Sequence, residues 1–526
     1  DVYFEIINSL IDKTYSQATI TSIEEFFTSV LGNRGYAFAE VSGDPEVDQD
    51  TSNVKLIFSI QPGKKTYTRK ILFTGNQVTQ DNVLRREMRQ FEGAWSSDDS
   101  IEAGKIRLER LGYFKEVNVE TIPVPGTDDQ IDVLYEVEEE TTGSLGGNIG
   151  YSDFGLMLGF NLQEQNFFGS GNTVGIGINK NIYSEVYNIS FLDPYATKDG
   201  VSLGYNLYFR ETDYGEFNVA NYLTNSNGLG VQFGYPISDI TRLNFNLTYD
   251  KTDIDIGTLP AREIYDFVAA EGNLFETLSL GFTWQRVTLN RGLFPTDGSS
   301  TSFTLTSTIP GSDINYYRAN IRQRFYQPLS SQLVFGFQGE LGYLDAYGDT
   351  EETPFFQNFY AGGPRSLRGF ESNTLGPRST DAPCYEFNYE EETCPNLIDT
   401  DFDGELDSPY INPYANSTSR YRDRPIGGNI KVEGSLQLIF KLPFIEDQRS
   451  LRSALFFDFG NVFSDNCKDY QINCAKPAVE DLRYSYGIGV TWITGFGPLS
   501  LAIAKPTNAG PQERTEEFQF TVGNVF

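Results

Sequence analysis

The sequence predicts α+β domains at the amino terminus, followed by an all-β, antiparallel transmembrane barrel of about 16 strands. Residues 1–140 mix helical and strand spacing, whereas residues 141–526 alternate apolar and polar side chains at the strand period. The 526 residues include 41 Phe, 31 Tyr and 50 Gly, yet only 39% are hydrophobic. A large membrane barrel has this composition because its lumen is polar and only alternate residues face lipid.

The amino-terminal region predicts two copies of one supersecondary unit, at residues 1–65 and 66–140. Gly35-Tyr36 of the first copy aligns with Gly112-Tyr113 of the second. The strand that opens the second copy would map before residue 1 in the first, so we expect the first domain to be truncated at its amino terminus. Ordinary soluble domains and a periplasmic docking array both fit this pattern. The second copy has the predicted order β-α-α-β-β, with strands at 69–73, 114–121 and 131–137 and helices at 79–88 and 97–111.

The barrel is predicted over residues 141–526, with a long loop at 348–428 that interrupts the alternation and folds back into the barrel. Between residues 242 and 250, for example, apolar side chains point one way and polar side chains the other. A soluble β-sandwich alternates too. Here, however, aromatic residues gather at strand ends, as at Tyr249 and Trp492, as they do in the interfacial girdles of membrane barrels. The sequence therefore favours a membrane barrel.

The charge and the missing residue types exclude several functions. The formal net charge of −32 argues against nucleic-acid binding, which requires stripes of Lys and Arg. The chain contains no His, so Ser-His-Asp, Cys-His and His-metal chemistry are unavailable. We therefore predict neither an enzyme nor a cofactor. The sequence has no apolar run of about 18 residues, so it predicts no transmembrane helix.

The four cysteines form two local pairs, Cys384 with Cys394 and Cys467 with Cys474. Four cysteines allow three connectivities, and the short spacings favour the local one. Two such disulfides would place the chain in an oxidising compartment, such as a periplasm or a cell surface. Four reduced thiols are the alternative.

One acidic segment resembles half of a calcium-binding loop. Asp399, Asp401 and Asp403 precede Gly404 with the spacing of the first half of an EF-hand loop. The twelfth position is Tyr410 instead of a bidentate Glu, and no helix is predicted beside the segment. A solvated acidic loop is therefore favoured over a calcium site, and no metal is predicted.

Several motifs follow one another in a specific order along the chain. They are Arg85-Arg86-Glu87-Met88-Arg89-Gln90, Asn290-Arg291-Gly292, Phe294-Pro295-Thr296-Asp297-Gly298, Phe359-Tyr360-Ala361-Gly362-Gly363 and the closing Phe518-Gln519-Phe520. Through these motifs the chain resembles, over nearly its whole length, the BamA family, which forms the centre of the outer-membrane β-barrel assembly machinery. The resemblance implies that the amino-terminal units are polypeptide-transport-associated (POTRA) domains, the last two before the barrel.

The resemblance also identifies the loop motif Leu367-Arg368-Gly369-Phe370, in which Leu367 stands where the family has valine. In the family this loop enters the barrel, and its arginine contacts acidic residues on the barrel wall. The matching wall positions are Asp458 and Gln437, which implies one ion pair with Asp458 and a neutral hydrogen bond with Gln437. Chemistry agrees, because a guanidinium in a confined lumen requires a bidentate acceptor. A solvated loop arginine is the alternative.

A barrel that inserts other barrels must be able to open, and the first and last strands form its natural seam. Glycines weaken the register of the first strand, and a kink at the glycine near the end of the last strand would remove ladder hydrogen bonds. Ordinary tapering of the barrel is the alternative explanation of these glycines. The predicted seam residues are Gly143, Leu145, Gly146, Gly147 and Ile149 on the first strand and Phe518, Phe520, Val522, Gly523 and Phe526 on the last.

The resemblance implies an insertase that folds β-barrel proteins into the bacterial outer membrane, with its amino-terminal domains in the periplasm. The implied partners are nascent outer-membrane β-barrel proteins with their chaperones, accessory outer-membrane lipoproteins, the lipid bilayer and lipopolysaccharide. A two-partner secretion transporter of the same superfamily is the first alternative. A passive outer-membrane porin or receptor is the second, although porins lack the amino-terminal array.

Overall fold

The computed structural model of the chain divides into two compact units, Asp1–Gly143 with Glu164–Thr173 and Ser144–Gln163 with Val174–Phe526. Within the described part of the chain, no helix is both long and apolar enough to cross a membrane. The structure describes residues 11, 14–48, 53–152, 155–215, 219–220, 222–256, 261–380, 397–398, 408–409, 424–442, 445, 450–469, 471, 474–494 and 497–523.

The first unit contains two small β-sheets with helices beside them. Its elements are α1 (Gln17–Gly32), β1 (Glu40–Asp48), β2 (Asn53–Gln61), β3 (Tyr67–Thr74), α2 (Asp81–Arg85), α3 (Asp98–Arg110), β4 (Phe114–Pro123) and β5 (Gln130–Glu139). Strands β1 and β2 form an antiparallel pair, and the second sheet has the order β3-β5-β4 with β3 parallel to β5. The predicted order β-α-α-β-β of the second domain is confirmed.

The core of the second domain is built where α3 packs on the sheet. The Ser97 side chain accepts a hydrogen bond from the first turn of α3 and caps the helix. Ile101 is buried on its inner face, and the Tyr135 hydroxyl donates to the Ile101 carbonyl at 2.8 Å. Gly104 gives the tyrosine room, because a Cβ there would lie 2.7 Å from the Tyr135 hydroxyl oxygen.

The helix expected over 79–88 is shorter, since α2 covers five residues. The turn before it is held by Glu139, whose carboxylate accepts hydrogen bonds from the amides of residues 77–79 at 2.6 to 3.0 Å. Burial alone would raise the pKa of the Glu139 carboxyl. The hydrogen bonds, above all those from Thr79, outweigh burial and hold that pKa below its usual range. A carboxylate from the end of β5 thus fixes the turn that leads into α2.

We expect Glu139→Ala to speed amide exchange at residues 77–79 by about tenfold at neutral pH, because the variant lacks the acceptor of these amides. A lowered pKa means that the stabilisation is present above the carboxyl's unfolded pKa of about 4.3 and is lost as pH falls through the lower, folded value. The difference between the two proteins should therefore shrink in acid. Deuterium exchange of the whole chain measures this, with the neighbouring exposed Glu138→Ala as the control that leaves residues 77–79 unchanged.

The second unit is a closed barrel of sixteen antiparallel strands, as predicted. Among the described residues, two short strand pairs of this unit lie outside the ring. The barrel strands are β6 (Gly143–Ser152), β7 (Gly155–Phe167), β8 (Asn172–Lys180), β9 (Ser184–Asp193), β10 (Ser202–Asp213), β11 (Leu223–Ser238), β12 (Thr241–Asp255), β13 (Leu274–Val287), β14 (Gly298–Thr308), β15 (Tyr316–Pro328), β16 (Leu333–Ala346), β20 (Ile430–Phe440), β21 (Leu451–Phe463), β22 (Arg483–Thr494), β23 (Gly497–Pro506) and β25 (Phe518–Val522). The remaining strands are β17 (Gly369–Phe370), β18 (Leu397–Ile398), β19 (Ser408–Pro409) and β24 (Thr515–Glu516), and the helix is α4 (Arg262–Glu271).

The barrel strands present apolar side chains outward and small or polar side chains inward. Along β23, Leu501 and Ile503 are exposed on the outer face, whereas Ala502 and Ala504 are buried on the inner face. The same alternation occurs along β12, where Phe245 is exposed. In a membrane the exposed face meets lipid, so these apolar side chains need no protein cover.

The largest apolar cluster of the barrel unit joins the long loop to α4. Phe267 of α4 packs edge-to-face on Phe355 of the loop, with ring centroids 5.3 Å apart. Glu263 at the start of α4 accepts a hydrogen bond from the Thr380 amide at 3.0 Å. Because this cluster buries parts of the loop on both sides of residues 362–370, it holds the loop motif in one place.

Candidate functional site

The loop motif is buried inside the barrel unit. Leu367 and Phe370 have no exposed surface and belong to the apolar cluster described above. Gly369 between them has a φ of 89°, a conformation that L-residues with side chains rarely adopt. A Cβ at Gly369 would also lie 3.1 Å from the Cβ of Ala504, so glycine allows the loop to approach the wall strand β23 closely.

Arg368 forms a two-point ion pair with Asp458 of β21. Its Nε donates to Oδ2 and its Nη2 donates to Oδ1, both at 2.7 Å, and its backbone amide donates to Oδ2 at 3.2 Å. The guanidinium carbon lies 3.5 Å from the centre of the Phe456 ring. Arg368 is 6% exposed and Asp458 is 0% exposed, so water offers little solvation and each charge depends on the other for compensation.

The geometry corrects the expected contact between Arg368 and Gln437. The second Nη2 bond of Arg368 goes to the Ser435 hydroxyl, at 3.0 Å. Gln437 donates to the same hydroxyl oxygen from Nε2 at 3.2 Å. A serine oxygen has two lone pairs and can accept both bonds, so Gln437 supports Arg368 through Ser435. An acid at position 437 would be needed for a second direct charge contact, and the uncharged amide leaves that place to serine.

A second anchor of the loop was not predicted. The Ser366 hydroxyl donates to the carboxylate of Glu433 on β20 and accepts a hydrogen bond from the Gly362 amide at 2.9 Å. Lys431 lies 3.0 Å from Glu433 and 3.6 Å from Glu340. Its ammonium offsets part of the negative charge of these two carboxylates. The sequence feature that could have indicated this contact is the placement of Lys431 and Glu433 on one face of a barrel strand, because charges facing a lumen require partners.

The loop motif also contacts the end of the chain. Strand β17, made of Gly369 and Phe370, pairs antiparallel with β24. Gln519 of β25 accepts a hydrogen bond from the Gly369 amide at 3.2 Å and donates to the Phe370 carbonyl at 2.7 Å. The sequence analysis missed Gln519, since its alternation along β25 indicates only that it faces inward.

The first and last barrel strands, β6 and β25, are joined by little backbone pairing. Among the described residues one register pair links them, Tyr151 with Val522. Strands β23 and β25 share five such pairs, and β12 and β13 share thirteen. The Tyr151 and Phe520 rings lie beside each other with centroids 5.8 Å apart. This seam therefore depends on few backbone contacts.

The predicted seam residues occupy both sides of this joint. The last strand ends at Val522, where Gly523 adopts a φ of 82° and turns away from the strand direction. A Cβ at Gly523 would lie 3.2 Å from the Cα of Gly150, so the two glycines allow close approach of the strands. Phe526 lies outside the described residues. Gly143 begins β6, Gly146 and Gly147 lie within it, and Leu145, Ile149, Phe518 and Phe520 are exposed.

The cysteine and calcium predictions are only partly covered by the described residues. Cys467 and Cys474 form the predicted disulfide, with Cα atoms 5.8 Å apart. Cys384 and Cys394 lie outside the described residues, as do Asp399, Asp401 and Asp403. In the parts of the chain that are described, no group of three or more acidic, Cys or His residues could hold a metal.

Comparisons with known proteins agree with this architecture. The Omp85 superfamily domain profile matches residues 166–526, and the POTRA profile, described as a surface antigen variable number repeat, matches residues 5–63 and 66–140. The outer membrane protein assembly factor BamA of Neisseria meningitidis is 30% identical over 98% of this chain, and this chain spans 63% of that protein's length. The mouse (Mus musculus) sorting and assembly machinery component 50 homolog is 22% identical over 86% of each chain.

A solved structure is also similar over nearly the whole chain. The crystal structure of BamA from Haemophilus ducreyi lacking POTRA domains 1–3 has a TM-score of 0.77 and 32% identity, and the match covers 97% of this chain and 94% of that one. Fold and sequence together define an outer-membrane β-barrel protein with periplasmic POTRA domains. The chain belongs to the Omp85 superfamily. Within that superfamily, its predicted resemblance to the BamA family is confirmed.

We expect Arg368→Ala to lower the free energy of unfolding of the barrel by about 3–5 kcal/mol, because it leaves the buried Asp458 carboxylate without its counter-charge. Arg368→Lys should restore only part of the loss, since an ammonium cannot form the two-point pair. Urea titration followed by the gel mobility of unboiled samples measures this. Arg365→Ala, an exposed arginine three positions earlier, is the matched control. Equal destabilisation by both alanine variants would contradict the role of the ion pair.

Proposed function

We propose that this chain inserts and folds β-barrel proteins in the bacterial outer membrane by opening the seam between β6 and β25. The single register pair that joins these strands among the described residues is the observation that carries the proposal. The names of the related proteins, an outer membrane protein assembly factor and a sorting and assembly machinery component, support it. Assembly requires no bond-making chemistry, which agrees with a chain that contains no His.

An opened seam would supply what a client strand requires. A closed barrel satisfies its backbone hydrogen bonds internally, and an unpaired strand in lipid leaves several donors and acceptors unsatisfied. When β6 separates from β25, its amides and carbonyls become a template on which a client strand can pair by β-augmentation. The ten residues of β6 offer a full strand edge, while the five of β25 do not.

The glycines of β6 are better explained by a strand edge with a weakly specified register than by close packing against neighbouring side chains. A Cβ at Gly146 or Gly147 would meet nothing closer than a carbonyl oxygen at 3.9 Å, an ordinary contact distance. Neighbouring side chains therefore do not require glycine at either position. Without side chains, these residues contribute little cross-strand packing and tolerate changes of register, which suits a strand that must exchange partners.

The short closing strand would also disturb the bilayer beside the seam. Five residues of β25 span about 17 Å, whereas the fifteen residues of β12 span about 50 Å before tilt. A hydrocarbon core is about 30 Å thick, so lipid next to β25 would thin to match it. Thinner lipid lowers the cost of moving the polar ends of a client hairpin across the membrane.

The partners of this activity follow from its chemistry. The clients are unfolded outer-membrane β-barrel proteins with their chaperones, because they bring unpaired strands. The POTRA domains would receive clients in the periplasm and bind accessory outer-membrane lipoproteins, while the barrel contacts the lipid bilayer and lipopolysaccharide. A passive porin is disfavoured, since the loop bearing Leu367, Arg368 and Phe370 occupies the lumen.

We expect a disulfide across the seam, made with Tyr151→Cys and Val522→Cys, to abolish client insertion while the barrel stays folded. A locked seam cannot offer an edge. Insertion of a barrel client into vesicles by the purified, reconstituted chain measures this, and reduction should restore activity.

The matched control locks an ordinary strand pair. Leu247 and Leu280 face each other across β12 and β13, so Leu247→Cys with Leu280→Cys places the same bond away from the seam. This variant should insert clients at the wild-type rate in both redox states. If the seam-locked barrel inserted clients as well as the control, the proposed mechanism would be wrong.

A further inference from the structure

We propose that Gln519 is a positioning residue that couples the loop motif to the closing strand and so controls how far the seam opens. This inference rests on the proposed function, because it assigns a residue that regulates the same seam. Gln519 is 2% exposed and faces inward from β25, between the outward-facing Phe518 and Phe520. Its terminal amide engages both polar backbone groups of the short strand β17.

The contact has the pattern of a strand pairing made by a side chain. The Gln519 oxygen accepts from the Gly369 amide at 3.2 Å, and its nitrogen donates to the Phe370 carbonyl at 2.7 Å. Only a carboxamide supplies one donor and one acceptor in this fixed geometry. A leucine of similar size would leave both backbone groups buried and unpaired, which is more costly than the loss of an exposed hydrogen bond.

Neighbouring contacts extend the same attachment along the chain that leads into β25. Gly369 and Phe370 pair with Glu516 and Thr515 of β24. The Glu371 amide donates to the Arg514 carbonyl at 3.0 Å, and the Arg514 amide donates to the Thr374 hydroxyl at 2.9 Å. The loop from 369 to 374 therefore follows the segment from 514 to 519.

The loop holds β25 in place although β25 shares little backbone pairing with β6. Among the described residues, β25 has five register pairs with β23 on one edge and a single pair with β6 on the other. From the lumen, the loop bonds the Gln519 side chain of β25 and the backbone of β24, which precedes it. Because Arg368 immediately precedes Gly369 and is fixed to Asp458 on β21, the closing strand is tied to a distant part of the wall.

This chain of contacts assigns the two strands of the seam different tasks. The lumen-side bonds hold β25 in place, so opening of the seam would displace β6, which has no comparable attachment to the loop motif among the described residues. Loss of the Gln519 bonds would free β25 as well. Neither strand of the seam would then be held in place, so no fixed strand would set the register between β6 and β25.

The test uses a cross-linking rate as the readout of seam geometry. In the purified, reconstituted full chain, Tyr151→Cys and Val522→Cys report how often the paired positions meet, through the rate of disulfide formation under a mild oxidant. We expect Gln519→Leu to slow this rate by about tenfold, because two buried backbone groups lose their partners. Gln519→Glu keeps the acceptor but places a buried carboxylate oxygen against the Phe370 carbonyl oxygen, so it should slow the rate at least as much. Gln285→Leu, a half-buried lumen glutamine, is the matched control and should leave the rate unchanged.

The Arg368→Ala variant distinguishes the proposed coupling from a merely structural role of Gln519. If the arginine acts on the seam through Gln519, the double variant Arg368→Ala, Gln519→Leu should cross-link no more slowly than Gln519→Leu alone. Rates that multiply would overturn the coupling. An unchanged rate in either Gln519 variant, with the barrel folded by gel mobility, would overturn it too.

Client insertion by the same proteins separates this inference from the proposed function. We expect Gln519→Leu to insert clients several-fold more slowly than the Gln285→Leu control, while both barrels stay folded. Unchanged insertion would overturn the positioning role. Failure of the unmodified chain to insert any client would remove the proposed function, but the cross-linking result, which needs no client, would still decide the coupling.

Discussion

The buried ion pair between Arg368 and Asp458 is the interaction on which the interior of this barrel depends. Asp458 is fully buried and Arg368 nearly so, so each charge depends on the other for compensation. The loop that carries the arginine must therefore stay inside the lumen. Its apolar neighbours Leu367 and Phe370 complete a cluster that extends to α4, and its glycine brings the backbone against the wall. The buried part of the loop around residues 362–370 therefore acts as an internal brace of the barrel.

The pairing of backbone hydrogen-bonding groups in lipid is the second constraint on this structure. In lipid every donor and acceptor of a strand requires a partner, and sixteen strands meet this demand by closing into a ring. The ring is uneven, because most neighbouring strands share many register pairs whereas β6 and β25 share one among the described residues. The closing strand is attached to the loop through the Gln519 side chain and through β24. Brace and seam are thus parts of one hydrogen-bonding arrangement.

The alternation of side chains was enough to predict the barrel, its strand number and the exposed apolar face, because lipid and lumen impose a period that any strand must obey. Arg368 and Asp458 could be matched through the family resemblance, since a buried arginine requires an acid. A direct hydrogen bond between Gln437 and Arg368 was predicted, but Ser435 lies between the Gln437 amide and the guanidinium. The helix expected over 79–88 covers Asp81–Arg85, and the turn before it is held by Glu139, a residue far away in sequence.

The sequence by itself determined the order of domains, the two-sided strands and the chemistry available to the loop, because periodicity and residue type are local properties. Only the tertiary structure decided which groups meet. The Ser366 bond to Glu433, the bonds of Gln519 to β17 and the single pair of Tyr151 with Val522 each join positions far apart along the chain. Barrel closure sets their distances, and no local pattern encodes how a closed ring brings its first and last strands together.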